Sequence, residues 1–147
     1  MQSFRYALLL ALLGLMPALG AEGMADSRQL VEFPPMMRQH MLTNMRDHLL
    51  ALTEIQQALG AGRFDQAAEI AEQRLGMSSM VAHGASHMAP LMPEAMREIG
   101  TQMHRAASRF AVLAQEAAVD SDYKRAIGGL GQVTQACVAC HMAFRAP

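Results

Sequence analysis

Tryptophan is missing from this sequence of 147 residues, Lys124 is its only lysine, and cysteine occurs twice. The 12 lysine and arginine residues are balanced by 13 acidic residues and form no basic run. Nucleic-acid binding is therefore excluded, because it requires a clustered positive surface. Valine, isoleucine, tyrosine and threonine are scarce, whereas alanine, leucine, methionine and glutamine dominate. This balance favours helices over strands and predicts an all-α fold.

The longest apolar run lies at the start of the sequence and has the features of a secretory signal peptide. Arg5 precedes an apolar stretch over 7–16, and Gly20 is a small residue suited to cleavage. The stretch is shorter than the roughly 20 residues that a membrane span needs. We therefore expect a signal peptide over 1–20 and one mature domain over 21–147, exported to the periplasm without a membrane anchor.

Prolines, glycines and aspartates divide the mature chain into four helical segments. Prolines at helix starts, capping aspartates and terminating glycines set the expected limits. The predicted helices cover about 35–59, 65–76, 93–119 and 122 to nearly the C-terminus. The Met/His-rich stretch 77–92 is expected to be irregular or partly helical. Four amphipathic segments with short connections favour an antiparallel four-helix bundle with up-down-up-down topology.

Three glycines interrupt the fourth predicted helix, at Gly128, Gly129 and Gly131. Each costs roughly 1 kcal/mol relative to alanine in a helix interior. The close approach of another helix or of a bulky ligand would offset this cost, and the sequence leaves both explanations open.

Both cysteines lie in the stretch Cys137-Val138-Ala139-Cys140-His141 near the end of the chain. A disulfide across three residues of one helix would close a very small loop and stabilise little. A thioredoxin-like pair would follow a strand, and a zinc site would need further ligands nearby. The remaining interpretation is covalent haem attachment through C-x-x-C-H, since positions i, i+3 and i+4 share one face of a helix. The expected cofactor is one haem c.

The order of these features resembles that of the cytochrome c′ family, the class II c-type cytochromes. The motif lies on the last helix of a single bundle and is followed by Phe144-Arg145. The resemblance implies that Cys137 and Cys140 carry the haem thioethers and that His141 is the proximal ligand of the iron. It also places Arg145 beside a propionate or the proximal face, although a solvated cation at a helix C-terminus is an equal alternative.

The sixth coordination position of the iron is expected to face the first helix. His141 lies about four residues before the end of its helix, so in an antiparallel arrangement its level falls about four residues into the first helix. Met37, Met41 and Met45 are the methionines on one face in that window.

The stretch from Met41 to Arg46 is similar to the ligand-bearing helix of the low-spin subgroup of this family, in which methionine precedes arginine by five residues. The resemblance therefore implies Met41 as the distal ligand, with Met37 and Met45 as alternatives. Core filling is the competing interpretation of this stripe, because methionine packs irregular gaps well. Ligation by the neighbouring His40 is not expected, and a surface position is predicted for it.

Ligation by methionine would make the protein an electron carrier between redox partner proteins and not an enzyme. A thioether ligand favours ferrous iron and raises the potential. An open position would instead leave an apolar cavity lined by Met41, Met45 and Phe110, in which NO or CO would bind. Phe110 is accordingly a candidate for packing against the haem. The resemblance also implies a homodimer through the first two helices, where Leu42 and Leu50 are apolar residues available for contact.

A third hypothesis is a periplasmic copper-binding module in the stretch 77–92. His83 and His87 are four residues apart, a spacing that can chelate copper or zinc on a helix, and methionines with soft thioethers surround them. Gly84 and Pro90 weaken the helix that would align the two imidazoles, so a solvated connection is favoured. For the remaining histidines, at positions 48 and 104, we expect surface or hydrogen-bonded roles.

Overall fold

The computed structural model describes residues 25–147, so the predicted signal peptide over 1–20 lies outside the described residues. The described chain is all-α, with two strands of two residues each. In chain order the elements are β1 (Gln29–Leu30), α1 (Pro35–Gly60), α2 (Phe64–Arg74), α3 (Ala85–Met88), α4 (Glu94–Asp120), α5 (Tyr123–Ala143) and β2 (Phe144–Arg145). Within 25–147 no helix is both long enough and apolar enough to cross a membrane.

The helix limits follow from local chemistry. Pro35 is the first residue of α1, where the missing N–H is not needed. Ser121 ends α4 in the left-handed conformation with φ 57°, and the Asp122 side chain then caps α5 by accepting a hydrogen bond of 3.0 Å from the Arg125 N–H. The predicted boundaries of the four long helices are confirmed to within two residues.

The connecting segment, residues 77–92, is partly helical, as expected. It consists of a 3₁₀ turn at Met77–Met80, the single-turn helix α3 and a second 3₁₀ turn at Ala89–Leu91. Gly84, with φ 62°, precedes α3 and allows the chain to reverse. The segment packs against the long helices, and its first 3₁₀ turn contacts α2 and α4.

The main core lies where α1 packs on α2, α2 on α4, and α4 on α5. Alanines dominate it and allow the helices to approach closely, while Ile55, Leu59 and Phe110 supply the larger fully buried side chains. At Gly129 an added Cβ would lie 2.9 Å from Leu113 Cδ1, so the approach of α4 accounts for this glycine. Gly128 and Gly131 are exposed, and an added Cβ would meet nothing within 4 Å.

A second, smaller core forms where the two ends of the described chain meet. β1 pairs in parallel with β2, in the register Gln29 to Phe144 and Leu30 to Arg145. Beside this pair, Val31, Phe33, Met88 and Phe144 are buried together. The sequence predicts no strand, and this short pairing is a difference from the expected purely helical structure. It fixes the residues that immediately follow the C-x-x-C-H motif.

Candidate functional site

A cavity of about 370 Å³ lies between α1, α4, the end of α5 and the connecting segment. This volume falls in the range of small-molecule and cofactor sites, about 300 to 1,000 Å³. Its walls are largely apolar, and methionines contribute to them from three parts of the chain, including Met45, Met80 and Met103. The cavity therefore combines a hydrophobic interior with several soft sulfur atoms.

The C-terminal wall of the cavity contains part of the C-x-x-C-H motif. Cys140 and His141 line the cavity, whereas Cys137 packs one turn earlier against the main core. Both cysteines are free and half-buried, and burial raises the pKa of each thiol. His141 is exposed, and its backbone carbonyl accepts a hydrogen bond of 3.3 Å from Arg28. Two of the three predicted attachment residues thus face the cavity.

The methionines of α1 divide between two environments. Met41 and Met45 are half-buried and line the cavity together with Cys140 and His141. Met37 and Met41 both pack against the smaller core, but Met37 does not line the cavity. The structure therefore brings Met41 and Met45 to the same cavity as the end of the motif.

Three arginines line the cavity, and no carboxylate of the described chain does. Arg145 Nε lies 3.4 Å from Asp26 Oδ2, but it is buried and makes no hydrogen bond. Arg28 is hydrogen bonded to the same carboxyl group, and these bonds lower the pKa of Asp26 to about 2. Arg97 donates to the Met92 carbonyl. The wall therefore carries positive charge that Asp26 offsets only in part.

One predicted site residue and two leucines predicted for a dimer contact take positions that differ from the expectation. Phe110 is fully buried in the main core and does not line the cavity, so the structure does not bring it to the expected place. Leu42 lines the cavity, while Leu50 is exposed on α1. Of the two leucines considered for a dimer contact, only Leu50 is free for one.

Three histidines that the sequence leaves unconnected meet in the wall of the same cavity. The ring centroids of His48 and His83 are 4.8 Å apart, those of His83 and His104 are 5.4 Å apart, and those of His48 and His104 are 6.0 Å apart. His48 is only 7% exposed, and its Nε2 has no hydrogen-bond partner. Burial lowers the pKa of all three, that of His48 to about 4, so the cluster is neutral at pH 7.

The pair suggested by the spacing in the connecting segment is separated. His83 joins the three-histidine cluster, whereas His87 is exposed on the short helix α3. His40, for which a surface position is predicted, is half-buried, and its Nε2 donates to the His83 carbonyl at 2.8 Å. His83 and His40 therefore belong to the surroundings of the cluster, and His83 and His87 do not form the chelating pair of the third hypothesis.

Sequence reasoning missed the cluster because its members lie on three elements far apart in the chain. The available signal was the position of His48, one turn beyond Met45 and two turns beyond Met41 on the same side of α1. Within residues 25–147, no group of His, Cys, Asp and Glu side chains is already arranged to hold a metal ion. No protein-family model, curated protein or solved structure matches the chain, so its function is inferred from the cavity residues.

Proposed function

We propose that this protein is an exported electron carrier, a c-type cytochrome whose antiparallel four-helix bundle carries one covalently attached haem. The observation that supports this most strongly is the position of Cys140 and His141 in the wall of a cavity that Met41 and Met45 also line. Cys137, three residues before Cys140 on α5, would supply the second thioether. His141 would be the proximal ligand of the iron.

The chemistry of the cavity fits a haem. A haem is a flat, mainly apolar group with two carboxylates, so it requires an apolar cavity with cationic groups at one side. The apolar surface is supplied by the methionines and by three residues of the smaller core, Phe33, Met88 and Phe144. Arg145 Nε is buried without a hydrogen bond, and Arg28 lies beside it near Asp26. These guanidinium groups are suited to hold the propionates.

The distal ligand is assigned to Met41, with Met45 as the alternative on the same wall. Both residues line the cavity, whereas Met37 does not. Ligation of the iron by Met37 therefore has little support. Met41 is half-buried, packs against the smaller core and lines the cavity. A thioether in this position favours the ferrous state.

Bound haem supplies one-electron redox chemistry, and the chain's own residues hold the group and control its surroundings. No side chain needs to act as acid, base or nucleophile in electron transfer. Phe144 and Phe33 cover the end of the cavity, and the pairing of β1 with β2 holds Phe144 in place.

Absorption spectra of the exported protein, ferric and ferrous, with and without CO, test this function. We expect a low-spin ferrous spectrum that CO does not change, and a sulfur-to-iron band in the ferric form that Met41→Ala abolishes. Met36→Ala is the matched control, because Met36 lies on the same helix and is 82% exposed. Loss of the band in Met45→Ala alone would move the ligand to Met45.

The same spectra test the competing function, a five-coordinate haem protein that binds NO or CO. The apolar cavity beside His141 would accommodate such a diatomic molecule if no methionine closed the sixth position. A high-spin spectrum with rapid CO binding would contradict the electron carrier and favour the gas binder. Absence of covalent haem would contradict both functions.

A further inference from the structure

Hydrogen bonds to Nδ1 define the free ring nitrogen in two members of the three-histidine cluster. His104 Nδ1 donates to the Leu75 carbonyl at 2.7 Å, which leaves Nε2 of His104 with a lone pair. Ser79 Oγ–H donates to the Gly76 carbonyl at 2.7 Å, so Ser79 Oγ accepts from His83 Nδ1 at 3.3 Å. His83 Nε2 therefore also carries a lone pair. Histidines that bind a metal through one ring nitrogen usually donate the other ring N–H to an oxygen atom in this way.

The third histidine carries an unpartnered nitrogen in a buried position. His48 Nε2 has no hydrogen-bond partner, and the residue is 93% removed from solvent, the complement of its 7% exposure. A buried polar group without a partner costs about 1 to 3 kcal/mol. Within the described residues nothing compensates for this cost, so a group that binds His48 Nε2 is expected.

The spacing of the rings fits one shared ion. Three imidazoles that bind one ion at about 2.1 Å in tetrahedral geometry have ring centroids about 5 Å apart. The observed separations, 4.8, 5.4 and 6.0 Å, bracket this value. The nitrogens do not yet converge on one point. Rotation of the His48 ring about its last side-chain bond, a soft torsion, would turn its unpartnered nitrogen without breaking the hydrogen bonds of His83 and His104.

The other residues of the cavity select the kind of ion. No carboxylate of the described chain lines the cavity, three arginines do, and the neighbouring Asp47 carboxylate is already paired with Arg74, so a divalent cation would find little compensating negative charge. Thioethers of Met45, Met80 and Met103 lie in the same walls. Soft thioether ligands together with imidazole select Cu(I), the ion with the lowest charge among the usual candidates.

We propose that His48, His83 and His104 bind one Cu(I) ion through Nε2, with a methionine thioether from the cavity wall as a further ligand. The ligand set differs from a His83–His87 chelate, since His87 is exposed and separate from the cluster. The site does not depend on the haem attachment proposed above. It would give the protein a copper-binding function within the same cavity.

Anaerobic titration with Cu(I), in competition with a chromophoric Cu(I) chelator, tests the site on the full exported chain. The titration is repeated on Cys137→Ala/Cys140→Ala, because free thiols would also bind Cu(I). We expect one tightly bound Cu(I) per chain in both proteins. His48→Leu and His104→Leu should weaken binding at least about a hundredfold, and Ser79→Ala about tenfold by releasing the His83 ring. X-ray absorption should show nitrogen ligands with sulfur.

His87→Gln is the matched control and should leave the affinity unchanged. The site would be refuted by loss of Cu(I) binding in the double cysteine variant, or by equal affinity in wild type and His104→Leu. It would also be refuted if His87→Gln weakened binding as much as His104→Leu, or if Zn(II) displaced Cu(I). If His48→Leu does not fold, as judged by circular dichroism, His104→Leu and Ser79→Ala decide the question. A protein that binds Cu(I) but carries no haem would contradict the proposed cytochrome function and leave the copper site standing.

Discussion

His48 should make the copper-free protein sensitive to mild acid. Burial, and next the charges of His83 and His104, lower its pKa from 6.5 to about 4, although the neighbouring Asp47 carboxylate opposes the shift. The unfolded chain takes up a proton near pH 6.5, whereas the folded chain takes it up only near pH 4. Stability due to His48 is therefore complete above pH 6.5 and decreases as the pH falls through this window.

The size of the loss follows from the two pKa values. A shift from 6.5 to about 4 corresponds to about 3 kcal/mol of unfolding free energy below pH 4, and to about 2 kcal/mol at pH 5. Urea unfolding with a copper chelator present measures it. When the pH is lowered from 7 to 5, the unfolding free energy of His48→Leu should fall by about 2 kcal/mol less than that of the wild type. His87→Leu, which removes an exposed histidine, should behave as wild type. Equal losses in wild type and His48→Leu would refute the buried cluster.

Two further predictions concern α5. Gly131→Ala should raise the unfolding free energy by about 1 kcal/mol, since the added Cβ meets nothing. Gly129→Ala should raise it less or lower it, because Leu113 Cδ1 would lie 2.9 Å away, and equal gains in thermal melts would contradict the packing of α4 on α5. Asp122→Ala should cost about 1 kcal/mol through loss of the cap to Arg125, whereas Asp122→Asn should be nearly neutral, with both measured by urea unfolding. Equal costs in the two variants would exclude the cap.

The all-α fold and the limits of its long helices were predictable because they depend on local sequence. Pro35 begins α1, Gly62 follows its end with φ 71°, and Asp122 caps α5. For the glycines in α5, the sequence left two explanations open, the close approach of another helix or of a bulky ligand. Helix packing explains Gly129, while nothing in the described structure explains Gly128.

The pairing of the chain ends was not predictable from the sequence. β1 and β2 have two residues each, too few for a recognisable alternating pattern, and they lie more than a hundred residues apart. Their pairing depends on the buried contacts of Val31 and Phe33 with Phe144. Such contacts follow from tertiary packing and leave no periodic signal in a single sequence.

The C-x-x-C-H part of the candidate site was predictable from the sequence, but the three-histidine cluster was not. Cys137, Cys140 and His141 are adjacent in sequence, so one helix is enough to bring them together. The three-histidine cluster requires α1, the connecting segment and α4 to fold against one another. Sequence spacing offered only the pair of His83 with His87, for which a solvated connection was the favoured alternative, and His87 is exposed outside the cluster.

Mass spectrometry of the denatured exported protein tests the central claim most directly. We predict a chain cleaved after residue 20 that carries the added mass of one haem, and the same chain without haem in Cys137→Ala/Cys140→Ala. Cys137→Ala alone should retain haem through a single thioether or lose it in part. An exported wild-type chain without the haem mass, produced in cells that attach haem to other c-type cytochromes, would contradict the account.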